Sequence, residues 1–241
     1  MKFTNKKDLD ETPDFSGFWI EEKTLEFRPI DGLTKHPLHL QIYEEVCDSD
    51  FVEDVRKNGI RTPLLITPKG IVVSGWRRLS AAKLVGLDVV PVQIHLNNDA
   101  RITALRLLES NIGRAKPMAE RLREFVAFRR VIAELLETEI AGRPALKLTP
   151  AQPAKLAACK CALTPQDAET GVQVLDAMRR AREVGDTTLA EEIERLLEVE
   201  GIGSAHTFAA ERRLFSGTRQ RKGGGKMARH RFDPACRNPT A

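Results

Sequence analysis

The chain has 241 residues, enough for one large domain or two small ones, and 41% of them are hydrophobic, enough to build a core. Lys and Arg exceed Asp and Glu only by 38 to 34, and aromatic residues make up 5%, which disfavours a single-strand binder built on stacking platforms. No apolar run approaches about 18 residues, and four irregularly spaced cysteines follow no signal peptide, so we expect a cytoplasmic protein with no membrane span.

The first half of the chain predicts a loose leader over 1–22 and then an α+β domain over 23–140. Runs rich in β-branched residues predict strands, and capping and glycine signals predict helices between them. The strands are expected at 25–30, 63–67, 71–73 and 89–94, and the helices at 50–58, 77–85, 98–111 and 117–138. Ser49 is the expected cap of the first helix. Pro68-Lys-Gly70 predicts a hairpin turn, and Pro91 favours an edge position for the last strand.

The second half predicts an all-α domain over 145–215, after a break at Ala141-Gly-Arg-Pro144. Its helices are expected at 151–162, 165–182, 187–199 and 203–214. Thr164 followed by Pro165 is typical of a helix start, because proline suits the first helical position. The stretch 216–241 is dense in Arg and Lys, which is typical of a disordered cationic tail.

The clearest chemical signal lies at 71–83, where a hydrophobic strand ends at Ser74-Gly75 and a helix begins at once. Gly75 lets a ligand approach the backbone closely, and the unpaired amides at a helix start favour an anion. Arg77 and Arg78 fall in that first turn, where cations oppose the helix dipole unless a phosphate is bound. From spacing alone, two solvated arginines explain this pattern equally well.

The run Val73-Ser-Gly-Trp-Arg-Arg-Leu-Ser-Ala-Ala-Lys83 resembles the Gly-Glu-Arg-Arg-x-x-Ala phosphate-binding motif of ParB proteins, the partition factors of bacterial chromosomes and plasmids. Residues 58–66 and 82–92 are similar to the family's flanking segments, so the resemblance covers about residues 25–130. It implies a ParB/sulfiredoxin-like domain with a small mixed sheet. Family members use cytidine triphosphate (CTP) with Mg²⁺ to close as a clamp on DNA.

The resemblance also implies site residues. The expected nucleotide-binding residues are Ser74, Gly75, Trp76, Arg77, Arg78, Asn111 and Arg114. Asn111 and Arg114 match the family's Glu-Asn-x-x-Arg motif, but Ser110 stands where the family has glutamate. Glu109, the candidate metal ligand, is one residue away, about 100° around a helix. We therefore expect nucleotide binding, lost in Arg78→Ala, with at most weak nucleoside-triphosphatase activity.

Trp76 is the other departure, because the family has an acidic residue after the glycine. Sulfiredoxin enzymes of the same fold need a cysteine at this position, so Trp76 excludes their chemistry.

ParB proteins carry a helix-turn-helix domain after the nucleotide module, and the first two helices predicted after residue 145 have the right dimensions. The residues expected to contact DNA are Gln166, Thr170, Arg219, Arg221 and Lys222. Asp167 and Glu169 would repel phosphates in this arrangement. An ordinary helical hairpin without a DNA role is the alternative.

The leading hypothesis is a bacterial ParB-like DNA-binding protein that assists plasmid or chromosome partition, or regulates a mobile element, with a CTP-type switch. Its expected partners are DNA, a ParA-type protein and a second copy of the chain, at the nucleoid. One alternative is an enzyme on the same fold, a nuclease or a small-molecule kinase, for which Glu109 is the convenient carboxylate. The other is an interaction module that binds no ligand, which Trp76 and Ser110 favour.

Overall fold

The computed structural model describes residues 25–44, 48–97, 99–136 and 152–215. Its strands are β1 (Glu26–Pro29), β2 (Thr34–Lys35), β3 (Leu64–Ile66), β4 (Ile71–Ser74) and β5 (Val89–Ile94). Its helices are α1 (Pro37–Ile42), α2 (Ser49–Asn58), α3 (Trp76–Val85), α4 (Ala100–Glu109), α5 (Met118–Leu136), α6 (Gln152–Lys160), α7 (Pro165–Glu183), α8 (Thr187–Val199) and α9 (Ile202–Glu211). The predicted α+β class, a small mixed sheet followed by helices, is confirmed.

The five strands form one sheet in the order β1-β5-β3-β4-β2. β1 and β5 pair antiparallel, as do β3 and β4, whereas β3 pairs parallel to β5 and β2 parallel to β4. The hairpin predicted around Pro68-Lys-Gly70 is therefore confirmed. Gly70 adopts a φ of +79°, and a Cβ there would lie 2.4 Å from the carbonyl oxygen of Gly32, so only glycine fits this turn.

The edge position predicted from Pro91 is wrong, because β5 lies between β1 and β3. Pro91 pairs with Phe27 of β1, and the pairing with β3 begins only at Val92. At the proline itself the strand thus has a single neighbour, as it would at an edge. The rule that proline avoids two-sided pairing holds locally although it failed for the strand as a whole.

Side-chain caps begin α2 and α7, and one of the two predicted caps is wrong by one residue. The cap of α2 is Asp48 rather than the expected Ser49, since the Asp48 Oδ1 accepts a hydrogen bond from the Phe51 amide at 2.7 Å. The helix start predicted at Thr164 and Pro165 is confirmed: the Thr164 hydroxyl accepts from the Asp167 amide at 3.1 Å. The predicted leader and cationic tail lie outside the described residues.

Hydrophobic residues cover both faces of the sheet. Leu64, Ile66 and Val72 pack with Leu79 of α3 in one buried cluster. The alternate residues Leu65 and Val73 belong to a second, larger cluster, as the period of two in a strand requires. The covering of both faces explains why β3 is buried throughout.

The larger cluster runs without interruption from α1 and the sheet through α4 and α5 to α9. The helices on either side of the predicted domain boundary therefore share one core. The boundary itself, at 141–144, lies outside the described residues and stays a prediction. Of the helices that the structure describes, none is long and apolar enough to cross a membrane.

Candidate functional site

The connection between β4 and α3 depends on Gly75. This residue has φ +100° and ψ 20°, the left-handed region that favours glycine, and no side chain caps the first turn of α3. A Cβ at Gly75 would also meet the guanidinium of Arg78, at 2.9 to 3.1 Å. The backbone conformation therefore favours glycine, as the strand–turn–helix pattern predicts, and a Cβ would also displace the Arg78 guanidinium.

The two arginines that follow point to different surroundings. Arg78 turns inward and donates hydrogen bonds to the carbonyl oxygens of Thr62 and, at 2.7 Å, of Pro63. Burial lowers the pKa of this guanidinium. Arg77 instead pairs with the carboxylate of Asp48 and lies 4.2 Å from the centre of the Phe51 ring. Arg78 therefore holds the segment before β3, and Arg77 faces the start of α2.

A cavity of about 760 Å³ opens beside the first turns of α3, within the range of small-molecule sites. Its polar and aromatic lining consists of His39, Glu44, Asp48, Trp76, Arg77, Ser80, Lys83, Arg114 and Glu120. Arg77 comes from α3 and Arg114 from the connection between α4 and α5. The fold thus brings two arginines from distant parts of the sequence to one cavity.

Arg114 is held on two sides. Its Nη2 lies 2.9 Å from Glu120 Oε2, and its guanidinium lies 5.1 Å from the centre of the Tyr43 ring. The side chain of Arg114 is 44% exposed, whereas that of Glu120 is only 4% exposed. The second oxygen of Glu120 accepts a hydrogen bond from the Glu44 amide at 3.0 Å. Arg114 therefore reaches the cavity while its carboxylate partner is buried in the wall.

A second carboxylate of α5, one turn further on, forms a buried ion pair. Lys116 Nζ lies 2.6 and 2.7 Å from the two oxygens of Glu124, and their side chains are 4% and 2% exposed. The Tyr43 hydroxyl donates to Glu124, and burial together with Glu124 raises the pKa of that hydroxyl. Burial, and then Glu124, also raise the pKa of the Cys161 thiol to about 12, so this thiol stays protonated at neutral pH.

Trp76 contributes an aromatic wall to the cavity. The ammonium groups of Lys35 and Lys83 lie 4.9 and 5.5 Å from the centre of a Trp76 ring, close enough for cation–π attraction. The His39 ring lies 6.3 Å away, tilted by 56°. Two ammonium groups thus lie near the rings of Trp76, at the position where ParB proteins have an acidic residue.

Of the predicted nucleotide-binding residues, the structure brings Trp76, Arg77 and Arg114 together at the cavity. Ser74 ends β4 opposite Leu65, next to Gly75 at the helix start. The other predicted residues, including Arg78, are not among those that line it.

Asn111 and Glu109 are engaged elsewhere. The Asn111 side-chain amide donates to the Leu107 carbonyl at 2.9 Å, at the end of α4. Glu109, 15% exposed, pairs with Lys160 of α6 at 3.0 Å, so it does not face the cavity. In the part of the chain that the structure describes, no three His, Cys, Asp or Glu side chains are grouped to hold a metal ion.

Sequence reasoning missed several lining residues. Ser80 and Lys83 lie four and seven positions after Trp76 on α3, so helical periodicity carried a signal for both. No such signal existed for Asp48 or Glu120. Asp48 caps α2 and lies 29 positions before Arg77, and Glu120 turns back from α5 toward Arg114 in the preceding connection.

The helices α6 and α7 form the unit predicted to read DNA. Arg121 of α5 donates two hydrogen bonds of 3.1 Å to the Cys161 carbonyl, at the turn between them, where Ala162 adopts a φ of +53°. Gly171 of α7 packs on Leu122 so closely that a Cβ would lie 2.2 Å from the nearest methyl carbon. The first contact holds the turn after α6 against α5, and the second packs α7 on α5.

The predicted base-reading residues lie on the first turns of α7. Gln166 is exposed, and the Thr170 hydroxyl donates to the Gln166 carbonyl at 3.0 Å. Asp167 receives a hydrogen bond from the Thr164 hydroxyl at 2.7 Å, and Glu169 pairs with Arg129 at 3.3 Å. Internal partners thus offset the two acidic residues expected to repel phosphates. Arg219, Arg221 and Lys222 lie outside the described residues.

Comparison with known proteins finds relatives for part of the chain. No family model matches the chain. Stage 0 sporulation protein J of Bacillus subtilis is 33% identical over 95 residues, which are 38% of this chain and 34% of that protein. The probable chromosome 1-partitioning protein ParB of Deinococcus radiodurans is 28% identical over 98 residues, 39% of this chain and 33% of that protein. The matched segment is similar to ParB proteins over these residues.

The ParB likeness is limited in length for these two relatives, since the chain spans about a third of each. The ParB-like nuclease domain-containing protein YnaK of Escherichia coli is 28% identical over 72 residues, 30% of this chain and 83% of that protein. Among solved structures, a Pnob8-like ParB-N domain is 15% identical, with coverage of 81% of this chain and 99% of that chain and a TM-score of 0.49. The truncated Caulobacter crescentus ParB complexed with CTP-gamma-S is 18% identical, with coverage of 77% and 98% and a TM-score of 0.31.

Proposed function

We propose that this chain is a ParB-like DNA-binding protein whose cavity beside α3 binds a nucleoside triphosphate, CTP by family resemblance, as a switch for DNA binding. The observation that carries the proposal is the meeting of Arg77 and Arg114 at one cavity large enough for a small molecule. Guanidinium groups recognise phosphate through paired N–H donors, which makes two of them at one cavity a suitable phosphate site. Lys83 adds a third cation.

The cavity would hold the phosphates against the first turn of α3. That turn has no side-chain cap, so its amides are available to an anion, and Gly75 leaves the backbone uncovered. Trp76 would then face the less polar part of the ligand. A magnesium ion would enter with the phosphates rather than occupy a preformed protein site.

DNA is the proposed macromolecular partner. The name of the Deinococcus radiodurans relative, a probable chromosome-partitioning protein, and the α6–α7 unit support this part of the proposal. Gln166 and Thr170 would lie toward the bases, and the cationic residues near the C-terminus, Arg219, Arg221 and Lys222, would contact phosphates. A role in partition, a ParA-type partner and self-association belong to the same proposal.

Calorimetric titration of CTP, with and without Mg²⁺ and DNA, tests the nucleotide part. We expect wild-type protein to bind CTP and Arg114→Ala to bind it on the order of ten-fold or more weakly, because a charge-assisted contact is lost. The control is Arg195→Ala, which removes an arginine of α8 that is 52% exposed and pairs with Glu192.

Absence of CTP binding under all these conditions contradicts the nucleotide switch, as does equal affinity of wild type and Arg114→Ala. DNA binding is measured separately, as the slope of affinity against salt concentration. A steep decrease with salt is expected for phosphate contacts. Cleavage of the DNA or turnover of the nucleotide in the same assays would favour the enzyme hypothesis instead.

A further inference from the structure

The two arginines of the cavity are already paired with carboxylates. Arg77 pairs with Asp48 and Arg114 with Glu120. The cavity lining carries three cations, Arg77, Lys83 and Arg114, and three carboxylates, Glu44, Asp48 and Glu120. Its formal charge is therefore zero, and an incoming phosphate must compete with groups of the protein that bear the same charge.

The two carboxylates differ in their exposure to water. The Asp48 side chain is 50% exposed and that of Arg77 48%, so water screens this pair and a ligand displaces it easily. The Glu120 side chain is 4% exposed, and both its oxygens have partners, Arg114 on one and the Glu44 amide on the other. The Glu120 carboxylate is therefore far less screened by water than that of Asp48.

We infer that Glu120 is an internal anion that occupies Arg114 in place of a phosphate and so sets how tightly the cavity binds polyphosphates, an inference that rests on the proposed function because it concerns the same cavity. When a phosphate takes Arg114, Glu120 keeps only the Glu44 amide as a partner. A buried carboxylate that loses its cation is costly, so this exchange opposes ligand binding. Removal of the carboxylate charge therefore strengthens binding.

The exchange also has a structural consequence. Glu120 holds the Glu44 amide, and the Arg114 guanidinium lies over the Tyr43 ring. A phosphate that binds Arg114 would thus change the contact between Arg114 and Tyr43, the residue that follows α1.

The test measures binding of inorganic tripolyphosphate and of CTP to wild type and to Glu120→Gln. Glutamine keeps the shape of the side chain and still accepts a hydrogen bond from the Glu44 amide, but it carries no charge. We expect Glu120→Gln to bind tripolyphosphate on the order of ten-fold more tightly than wild type, the size of one charged hydrogen bond. The gain should vanish when Arg114→Ala is also present, because Glu120 acts through Arg114.

The matched control is Glu194→Gln. Glu194 also pairs with arginines, Arg123 at 3.1 Å and Arg182 at 2.9 Å, but it does not line the cavity. The Glu194→Gln variant should therefore bind tripolyphosphate with the affinity of wild type. Thermal melting of each variant reports whether it is folded. If Glu120→Gln does not fold, Glu120→Asp replaces it, since its shorter side chain withdraws the carboxylate from Arg114 and should increase affinity in the same direction.

The outcomes separate the two proposals. Tighter tripolyphosphate binding by Glu120→Gln without any CTP binding supports the role of Glu120 and overturns the nucleotide switch. CTP binding by wild type with no gain in Glu120→Gln, or a gain that persists with Arg114→Ala, overturns the role of Glu120 alone. If no variant binds either compound, both are overturned.

Discussion

The start of α3 and the start of α5 each carry two side chains of like charge close together in sequence, yet the members of each pair have different surroundings. On α3, Arg77 reaches the cavity and Arg78 lies beneath Gly75. On α5, Glu120 lines the cavity and Glu124 is buried beside Lys116. In both helices one member faces a candidate ligand site and the other holds the fold together.

The difference lies in the partners. The inward members bind groups that no ligand replaces: backbone carbonyls for Arg78, and Lys116 with Tyr43 for Glu124. At the cavity, a phosphate can take the place of Asp48 at Arg77 and of Glu120 at Arg114. The role of a charged residue therefore depends on what it contacts, and two neighbours in one motif need not share it. Three substitutions test this division.

The largest expected loss of stability follows from substitution of Lys116. Lys116→Met leaves Glu124 buried without its cation, and removal of one partner of a buried ion pair costs about 3–5 kcal/mol in the free energy of unfolding. Urea unfolding measures this. Lys57→Met is the control, because Lys57 is 68% exposed and its pair with Glu53 should contribute at most about 1 kcal/mol. Equal effects of the two substitutions would show that the Lys116 pair is not structurally distinct.

A smaller loss of stability is expected from substitution of Arg78. Arg78→Ala removes the hydrogen bonds to Thr62 and Pro63, and loss of such charged contacts should lower the free energy of unfolding by about 1.5–3 kcal/mol. CTP affinity, measured where the variant is fully folded, should stay close to that of wild type. The family resemblance predicts the opposite, loss of nucleotide binding in Arg78→Ala. That result in a folded variant would show that Arg78 contacts the ligand.

The smallest effect on stability is at Arg77. Its pair with Asp48 is half exposed, so Arg77→Ala should change the free energy of unfolding by less than about 1 kcal/mol. Its CTP affinity should nevertheless fall on the order of ten-fold, because a phosphate contact is lost. Arg56→Ala, on the exposed surface of α2, is the control for both measurements. A stability loss as large as that of Arg78→Ala would contradict the division.

Much of the fold was predictable from local signals. β-branched runs on either side of Pro68-Lys-Gly70 predicted the hairpin, and Thr164 with Pro165 predicted the start of α7. The position of β5 was not predictable from Pro91, because strand order depends on pairings between distant segments. The cap of α2 differed by one residue, from Ser49 to Asp48, since both side chains can accept from the helix amides.

The sequence by itself determined the strand, the Gly75 turn and the helix that place two arginines at the start of α3, because hydrophobic period and glycine conformation are local properties. It also pointed to Arg114 through the motif. Only the tertiary structure decided that Arg77 faces the cavity while Arg78 supports the fold. Adjacent residues on a helix differ by about 100° in direction, and packing selects which direction is buried. Asp48 reaches Arg77 across 29 positions of the chain, and Glu120 reaches Arg114 from the first turn of α5, so only the tertiary structure reveals both pairs.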